Sequence, residues 1–372
     1  MNRANLLNAK SLLASAVLLT ALYLLIIISE AARDELALFI ESSAEVVPFV
    51  FLAMLAYLGE KDGRVRPFAV LWCLLLVMAI AIFSFGLGVL SISDTSGLEN
   101  IPWEEAARIA GLCLLAALIS LLGFLPGFRI ICARHLPLDP RSFVHALGLV
   151  MVTAITLLPM VPLMATGTPP LLTPSVLQSL DLMQMGTAET LKLFTYSLFW
   201  TIFGSFMMVG LFLKRDLQQA LKRLALVLPT AIQVFVALVL ALAMVVAFSI
   251  IDEGIRAFWE MMGWQTTDPE LVMILFESAL TPLGALVLSI SAGVGEELAV
   301  RGVLQPRFGM IWPSLLFASL HAYQYGWDAL LSVFLAGMAF ALLRKYTNTS
   351  TCAITHTAYD LVLFMLVMTG IS

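Results

Sequence analysis

Three observations predict an all-α fold, a polytopic transmembrane helix bundle of about 10–11 spans. The 372 residues are 61% hydrophobic and only 12% charged, where a soluble chain of this length carries about a quarter charged residues. Apolar runs of about 20 residues, enough to cross a bilayer as a helix, recur from end to end. The charged residues collect between these runs in segments that alternate in sign. In such a chain the net charge of −5 says little about partners. No basic patch with interleaved aromatics points to nucleic acid.

The first run, residues 11–29, follows Arg3 and Lys10 as a signal peptide would. It ends in Ile-Ile-Ile-Ser-Glu rather than at a small-residue cleavage site, so it reads as a retained first span. Further spans are expected near 36–58, 68–92, 107–128, 143–165, 190–213 and 224–251. Lys61, Arg64 and Arg66 fill one loop, Arg129, Arg134 and Arg141 another, and Lys214, Arg215, Lys222 and Arg223 a third. The loops between them hold Asp94, Glu99, Glu104 and Glu105, or Asp252, Glu253, Glu260, Asp268 and Glu270. The positive-inside rule then places the N-terminus in the cytoplasm. Of the 20 Lys and Arg, only Arg301 falls within a span.

Several features of this front part carry no chemistry. Glu41 and Glu45 are four apart, as in a cation site, but read as the solvated outer end of their span. His135 in a basic loop and His145 near a span start read as ordinary polar residues. Cys73, Cys113, Cys132 and Cys352 are spread singly without metal-ligand spacing, so they read as small core side chains. Residues 166–186, rich in Pro and Thr, read as an outer loop.

From 271 to 305 the chain is too long for one straight span, and Pro282 offers the break. An outer or interfacial piece over 271–281 containing Glu277 is expected, then a span over 283–305 ended by Pro306. That span carries Ser289, Ser291, Ala292, Gly293 and Gly295, small residues that let a neighbouring helix approach. Next come Glu296, Glu297 and Arg301. Charges inside a hydrophobic helix are costly and usually mark function. Glu297 and Arg301 are four apart in the favourable order for an ion pair. Glu296, about 100° round the helix, is left free for another environment.

Glu296 lies 12 residues before Phe308 and His321 lies 13 after it. An antiparallel hairpin through Trp312 to Tyr325 would set both about 18–20 Å from the turn. After a span over 328–343, His356 and Asp360 share one face of the last span. Two of the four histidines thus join Glu296 at one depth. The set suits attack of water on an amide: a carboxylate in an apolar setting serves as general base, and histidine shares the water proton or donates to the oxyanion.

The order GEELAVRG, FASLH, HTAYD resembles the EExxxR, FxxxH and HxxxN/D motifs of the CPBP family (Abi; CAAX prenyl protease and bacteriocin-processing type), glutamic intramembrane endopeptidases. The resemblance implies that Glu296 activates water, Glu297 and Arg301 orient it or hold the helix, and His321 assists. His356 with Asp360 would form the oxyanion side, and Phe317 would pack on the helix face of His321. It implies no metal and no cofactor, and a substrate that is a membrane protein or a C-terminally anchored or lipidated peptide. The location implied is integral and multi-pass, in a bacterial cytoplasmic membrane. Residues 271–372 would be the protease core and 1–270 accessory transmembrane helices without a recognisable motif. Asp360 departs from the Asn of the eukaryotic prenyl-protein proteases. An ionised Asp cannot donate to an oxyanion, so it is either protonated by burial or orients His356. Three alternatives remain at this point. One is a metal-dependent protease, since Glu, His and His also ligate zinc. The others are a transporter using both glutamates as a relay and a catalytically silent immunity scaffold.

Overall fold

Proline positions and the lengths of the apolar runs set the helix boundaries in the computed structural model, which describes residues 30–93, 101–179 and 186–370. The expected span 11–29 lies outside the described residues, as do Arg3, Lys10, Asp94 and Glu99. The described residues form helices and turns, with one isolated bridge between Leu211 and Arg215. The chain divides into two compact units, Met1–Glu45 and Val46–Ser372.

In the first unit, α1 (Glu30–Glu41) closes on Glu41, and Glu45 sits in the following turn; both are exposed. The expected span 36–58 is therefore not continuous. The chain turns at 42–46, and α2 (Val47–Lys61) restarts with Pro48 in its first turn, where proline's missing N–H costs nothing.

The second unit continues with α3 (Arg66–Ile92), α4 (Trp103–Ser120), α5 (Pro126–Ala133), α6 (Phe143–Leu157), α7 (Met160–Thr166), α8 (Pro174–Ser179) and α9 (Thr187–Met208). It is completed by α10 (Leu217–Leu224), α11 (Ala231–Met261), α12 (Pro269–Phe276), α13 (Pro282–Glu297), α14 (Gln305–Phe308), α15 (Ile311–Leu320), α16 (Trp327–Tyr346) and α17 (Thr349–Thr369). Among the described residues, seven helical stretches are long and apolar enough to cross a membrane: Gly63–Ile92, Trp103–Phe124, Phe143–Thr166, Ala231–Met261, Pro282–Phe308, Trp327–Tyr346 and Thr349–Thr369. The protein is an integral, multi-pass membrane protein. Helix α9 has 22 residues but is diluted by Thr, Ser and Tyr and is not among the seven. Of the expected outer loop 166–186, the described residues 166–179 carry a short helix: α8 packs Val176 and Leu177 inside, and Ser175 Oγ donates to Leu90 O at 2.8 Å.

Two expectations for the C-terminal third need correction. Pro306 does not end its helix. The chain widens into a π-helix over Leu298–Leu304 and runs on through α14 to Phe308, with Pro306 in the first turn of α14. A proline leaves the carbonyl four residues back without its N–H. That carbonyl, Gly302 O, accepts from Arg223 Nη1 at 2.9 Å, and Val303 O accepts from Nη2 at 3.1 Å. A side chain from α10 thus satisfies what the proline exposes. The span expected through Trp312 to Tyr325 is likewise shorter. Helix α15 has ten residues and gives way to a 3-10 turn at His321–Tyr323. The chain then doubles back to Gly326, whose N–H is held by Thr267 Oγ1 at 2.9 Å.

Hydrogen bonds tie the basic loops together at one end of this unit. Glu60 accepts from Ser142 Oγ at 3.1 Å, Lys61 Nζ donates to Leu213 O at 2.6 Å, and Thr349 Oγ1 donates to Leu224 O at 2.6 Å. At the opposite end Arg108 reaches Ala165 O at 2.6 Å and Thr267 Oγ1 donates to Asp328 at 2.6 Å. The charge alternation of the sequence is thus a real separation of the loops into two ends. An apolar core of Ala69, Cys73, Ile109, Leu147, Val150 and Leu158 fills the space between α2, α3, α4, α6 and α7. Helix α13 packs mainly on α17 and α9, and α17 also on α11.

Candidate active site

The site begins with a glycine. Gly293 on α13 lies so close to α17 that a Cβ there would collide with the backbone and hydroxyl of Thr357. On another side Ser291 Oγ donates to Phe194 O of α9 at 3.0 Å. These approaches fix the rotation of α13 one turn before its acids, and small residues are what permit them. The acids then part as their 100° offset predicts. Glu297 has no exposed side-chain surface, whereas 36% of the Glu296 side chain is exposed.

Glu297 bridges two partners. Its Oε2 stands 3.2 Å from Arg301 Nε and its Oε1 3.1 Å from His356 Nδ1. The expected ion pair with Arg301 is therefore present, in a π-helical turn, and it extends to the last helix. The other nitrogen of His356, Nε2, lies 3.4 Å from Asp360 Oδ2 and 3.8 Å from Glu296 Oε2. One imidazole thus faces carboxylates through both ring nitrogens. With Nδ1–H donating to Glu297, a neutral ring keeps an acceptor at Nε2, and an imidazolium donates on both sides.

Aromatic rings hold this imidazole. Phe340 of α16 stacks on it at 4.5 Å between centroids and 23° between planes, and Phe317 of α15 meets it edge-on at 6.2 Å. Phe317 also contacts the His321 ring at 4.8 Å and lies 5.6 Å under the Arg301 guanidinium carbon. It does pack on the face of His321, and it spans to two further polar residues. His321 Nδ1 is 2.8 Å from Phe317 O. As a donor there, it leaves Nε2 with a lone pair. The Tyr325 ring lies parallel to the His321 ring at 5.9 Å.

The structure joins Glu296, Glu297, Arg301, His356 and Asp360 in one chain of contacts. His321 meets that chain across Phe317 and not by an ion pair. Helices α13 and α15 are not each other's main partners, since α15 packs mainly on α16 and α6 while α13 packs on α17, yet His321 stands close enough to His356 and Asp360 to interact with both electrostatically. His145 is an ordinary polar residue whose Nδ1 accepts Asp139 N–H at 2.9 Å, and His135 is exposed. All four cysteines are buried and free. Sequence reasoning missed Phe340, because one aromatic in an apolar span carries no signal. It also missed Tyr325, whose position four after His321 was a usable one.

Among the described residues no three His, Cys, Asp or Glu side chains are arranged to hold a metal ion. A cavity of about 800 Å³ is lined by Trp259, Trp264, Trp327, Leu315, Ala318 and Phe334 among others and by none of the cluster's own residues. Chemically the cluster offers two part-exposed acids, Glu296 the more exposed and Asp360 the less, and an imidazole oriented by the buried Glu297, the parts for proton transfer and for stabilising an oxyanion.

Residues 278–362 match the family model described as "Type II CAAX prenyl endopeptidase Rce1-like". No curated protein and no solved structure matches the chain. The match covers α13 to most of α17 and includes every residue of the contact chain.

Proposed function

With residues 278–362 matching the Rce1-like CAAX endopeptidase family and the chain therefore a membrane-embedded protease, we propose that its catalysis is of the glutamic type with Glu296 as the base. The observation that carries this reading is the unequal exposure of the paired acids. Glu297 is enclosed between Arg301 and His356, while the Glu296 side chain is 36% exposed, more than that of Asp360 at 19%.

In this mechanism Glu296 takes a proton from water, whose oxygen attacks the carbonyl carbon of a peptide bond. His321 Nε2, unprotonated while Nδ1 donates to Phe317 O, accepts the second hydrogen bond of that water and aims it. The carbonyl oxygen becomes an oxyanion, which His356 stabilises as a donor through Nε2, with Nδ1 held by Glu297. The tetrahedral intermediate collapses as the C–N bond breaks, and the proton on Glu296 passes to the leaving amine. Asp360, 3.4 Å from His356 Nε2, keeps that ring oriented and charged. The substrate class is a membrane-associated protein or a C-terminally anchored or lipidated one. Residues 271–372 act as the core and residues 1–270 as accessory helices. The basic loops and the N-terminus face the cytoplasm of a bacterial cell, in keeping with the positive-inside rule.

The test compares protein termini in cells making wild-type protein and Glu296→Gln. The variant keeps side-chain volume and removes the base, so termini generated by the wild type should fall about 10²- to 10⁴-fold with the protein level unchanged. Cleavage near the wild-type rate would remove Glu296 from this role. Activity of the purified protein should survive exhaustive chelation; loss with chelator and recovery with zinc would establish the metal-dependent alternative.

A further inference from the structure

The π-helical turn that carries Arg301 also borders a second opening. A cleft of about 360 Å³ lies where α14, the turn at Gly309 and the end of α16 meet, lined by Arg301, Gln305, Gly309, Met310, Arg344 and Lys345 among others. Three of these side chains are cationic and none is acidic. Two are buried and have polar atoms without hydrogen-bond partners among the described residues: Arg301 Nη1 and Nη2, with Arg301 at 0% exposure, and Gln305 Oε1, with Gln305 at 9%. Gln305 is not loose, since its Nε2 donates to Ala341 O at 2.9 Å. Arg344 is held too, with Nε donating to Thr349 Oγ1 at 2.9 Å. A buried guanidinium with unpaired donors carries a desolvation cost that a bound anion would offset.

The surroundings narrow the anion. The cleft lies at the end of the unit where the basic loops meet. There burial, together with the charges of Arg307 and Arg215, pulls the Arg223 guanidinium down to about 10. Beside its cationic wall Ile311, Leu342 and Tyr346 are exposed by 60%, 43% and 77%, an apolar flank suited to acyl chains. Basic pockets between transmembrane helices at the membrane surface take anionic headgroups.

We propose that this cleft is a binding site for a phosphate-bearing anion, the headgroup of an anionic phospholipid. The assignment does not depend on Glu296 being the base. Phosphate is favoured over a carboxylate because its oxygens can engage Arg301 Nη donors and the Arg344 and Lys345 cations together.

The full chain in detergent is titrated with phosphatidylglycerol, phosphatidylcholine, inorganic phosphate and a short peptide with a free C-terminal carboxylate, following Tm and, by native mass spectrometry, retained ligand. Wild type, Lys345→Gln and Arg344→Gln are compared. Phosphatidylglycerol should be retained and raise Tm, and phosphatidylcholine should not. Each substitution should weaken retention about fivefold. Arg344→Gln also removes the bond to Thr349, so Lys345→Gln, exposed and free of such a bond, decides if Arg344→Gln misfolds. Stabilisation by inorganic phosphate with the same variant dependence makes the ligand a free anion in the same site. The proposal is overturned if neither phosphate source stabilises the wild type, if both act equally on wild type and Lys345→Gln, or if the peptide carboxylate alone binds.

Discussion

The front of the large unit and its C-terminal part bury polar groups in opposite ways. In the front helices buried hydroxyls find partners, some within their own helical turn and some across to another element. Ser120 Oγ donates to Ala117 O at 2.6 Å, Thr153 Oγ1 to Leu149 O at 2.8 Å, and Ser84 Oγ meets Tyr323 Oη at 3.1 Å. From Ser289 to Gln305 the pattern reverses. Apart from Arg129 Nε, every buried side-chain polar atom without a hydrogen-bond partner among the described residues lies in this stretch: Ser289 Oγ, Glu297 Oε2, the Arg301 guanidinium nitrogens and Gln305 Oε1. Structures leave few such groups unpaired, and those that remain concentrate where function overrides stability. The front is built to pack, and the rear holds charge in place against its preference for water.

If that contrast is right, the largest stability loss belongs to the rear. Glu297→Gln strands the Arg301 charge without a counter-ion at 0% exposure and should cost about 3–5 kcal/mol, seen as a large fall in Tm of the purified protein. An unchanged Tm would mean the 3.2 Å pair contributes nothing and would dissolve the contrast. Replacing both partners by apolar residues, Glu297→Leu with Arg301→Met, should recover much of the Tm while abolishing activity, separating the charge penalty from the shape of the helix.

A front substitution should act through packing alone. Leu147→Ala, at 1% exposure, should cost about 2 kcal/mol, the low end of the range for soluble cores because lipid gives helices no hydrophobic drive to associate. Activity per folded molecule should not change. A change in specific activity with little loss of Tm would show that the front helices act on the site and are more than a scaffold.

The smallest expected effect sharpens the reading of the site itself. Asp360→Asn keeps the shape and removes the charge near His356 Nε2, so cleavage should fall about tenfold across the pH range if orientation is its task. Retained or raised activity with a flattened alkaline limb would mark a protonated Asp360 that donates to the oxyanion instead.

Much of the fold was legible because its cause is local. Run length, composition and loop charge respond to the bilayer residue by residue, so the helical class, the break at Pro282 and the two-ended charge pattern followed from the sequence alone. The i, i+4 spacings of Glu297 with Arg301 and of His356 with Asp360 were legible for the same reason, since one helical turn fixes both contacts. The tertiary structure decided what depends on which helices touch. It turned Glu297 from a helix clamp into a bridge to His356. It gave Gly293 its task by bringing Thr357 against it, and it set Phe340 on the imidazole. It carried α14 past Pro306 because Arg223, 83 positions earlier in the chain, supplies the donors the proline lacks. It also gave α15 its main contacts on α16 and α6, so that His321 comes to the site beside Phe317 rather than from a closely packed hairpin. Register counting assumes that consecutive helices pack on each other, and here α13 finds its close partner in α17, where small residues allow the nearest approach.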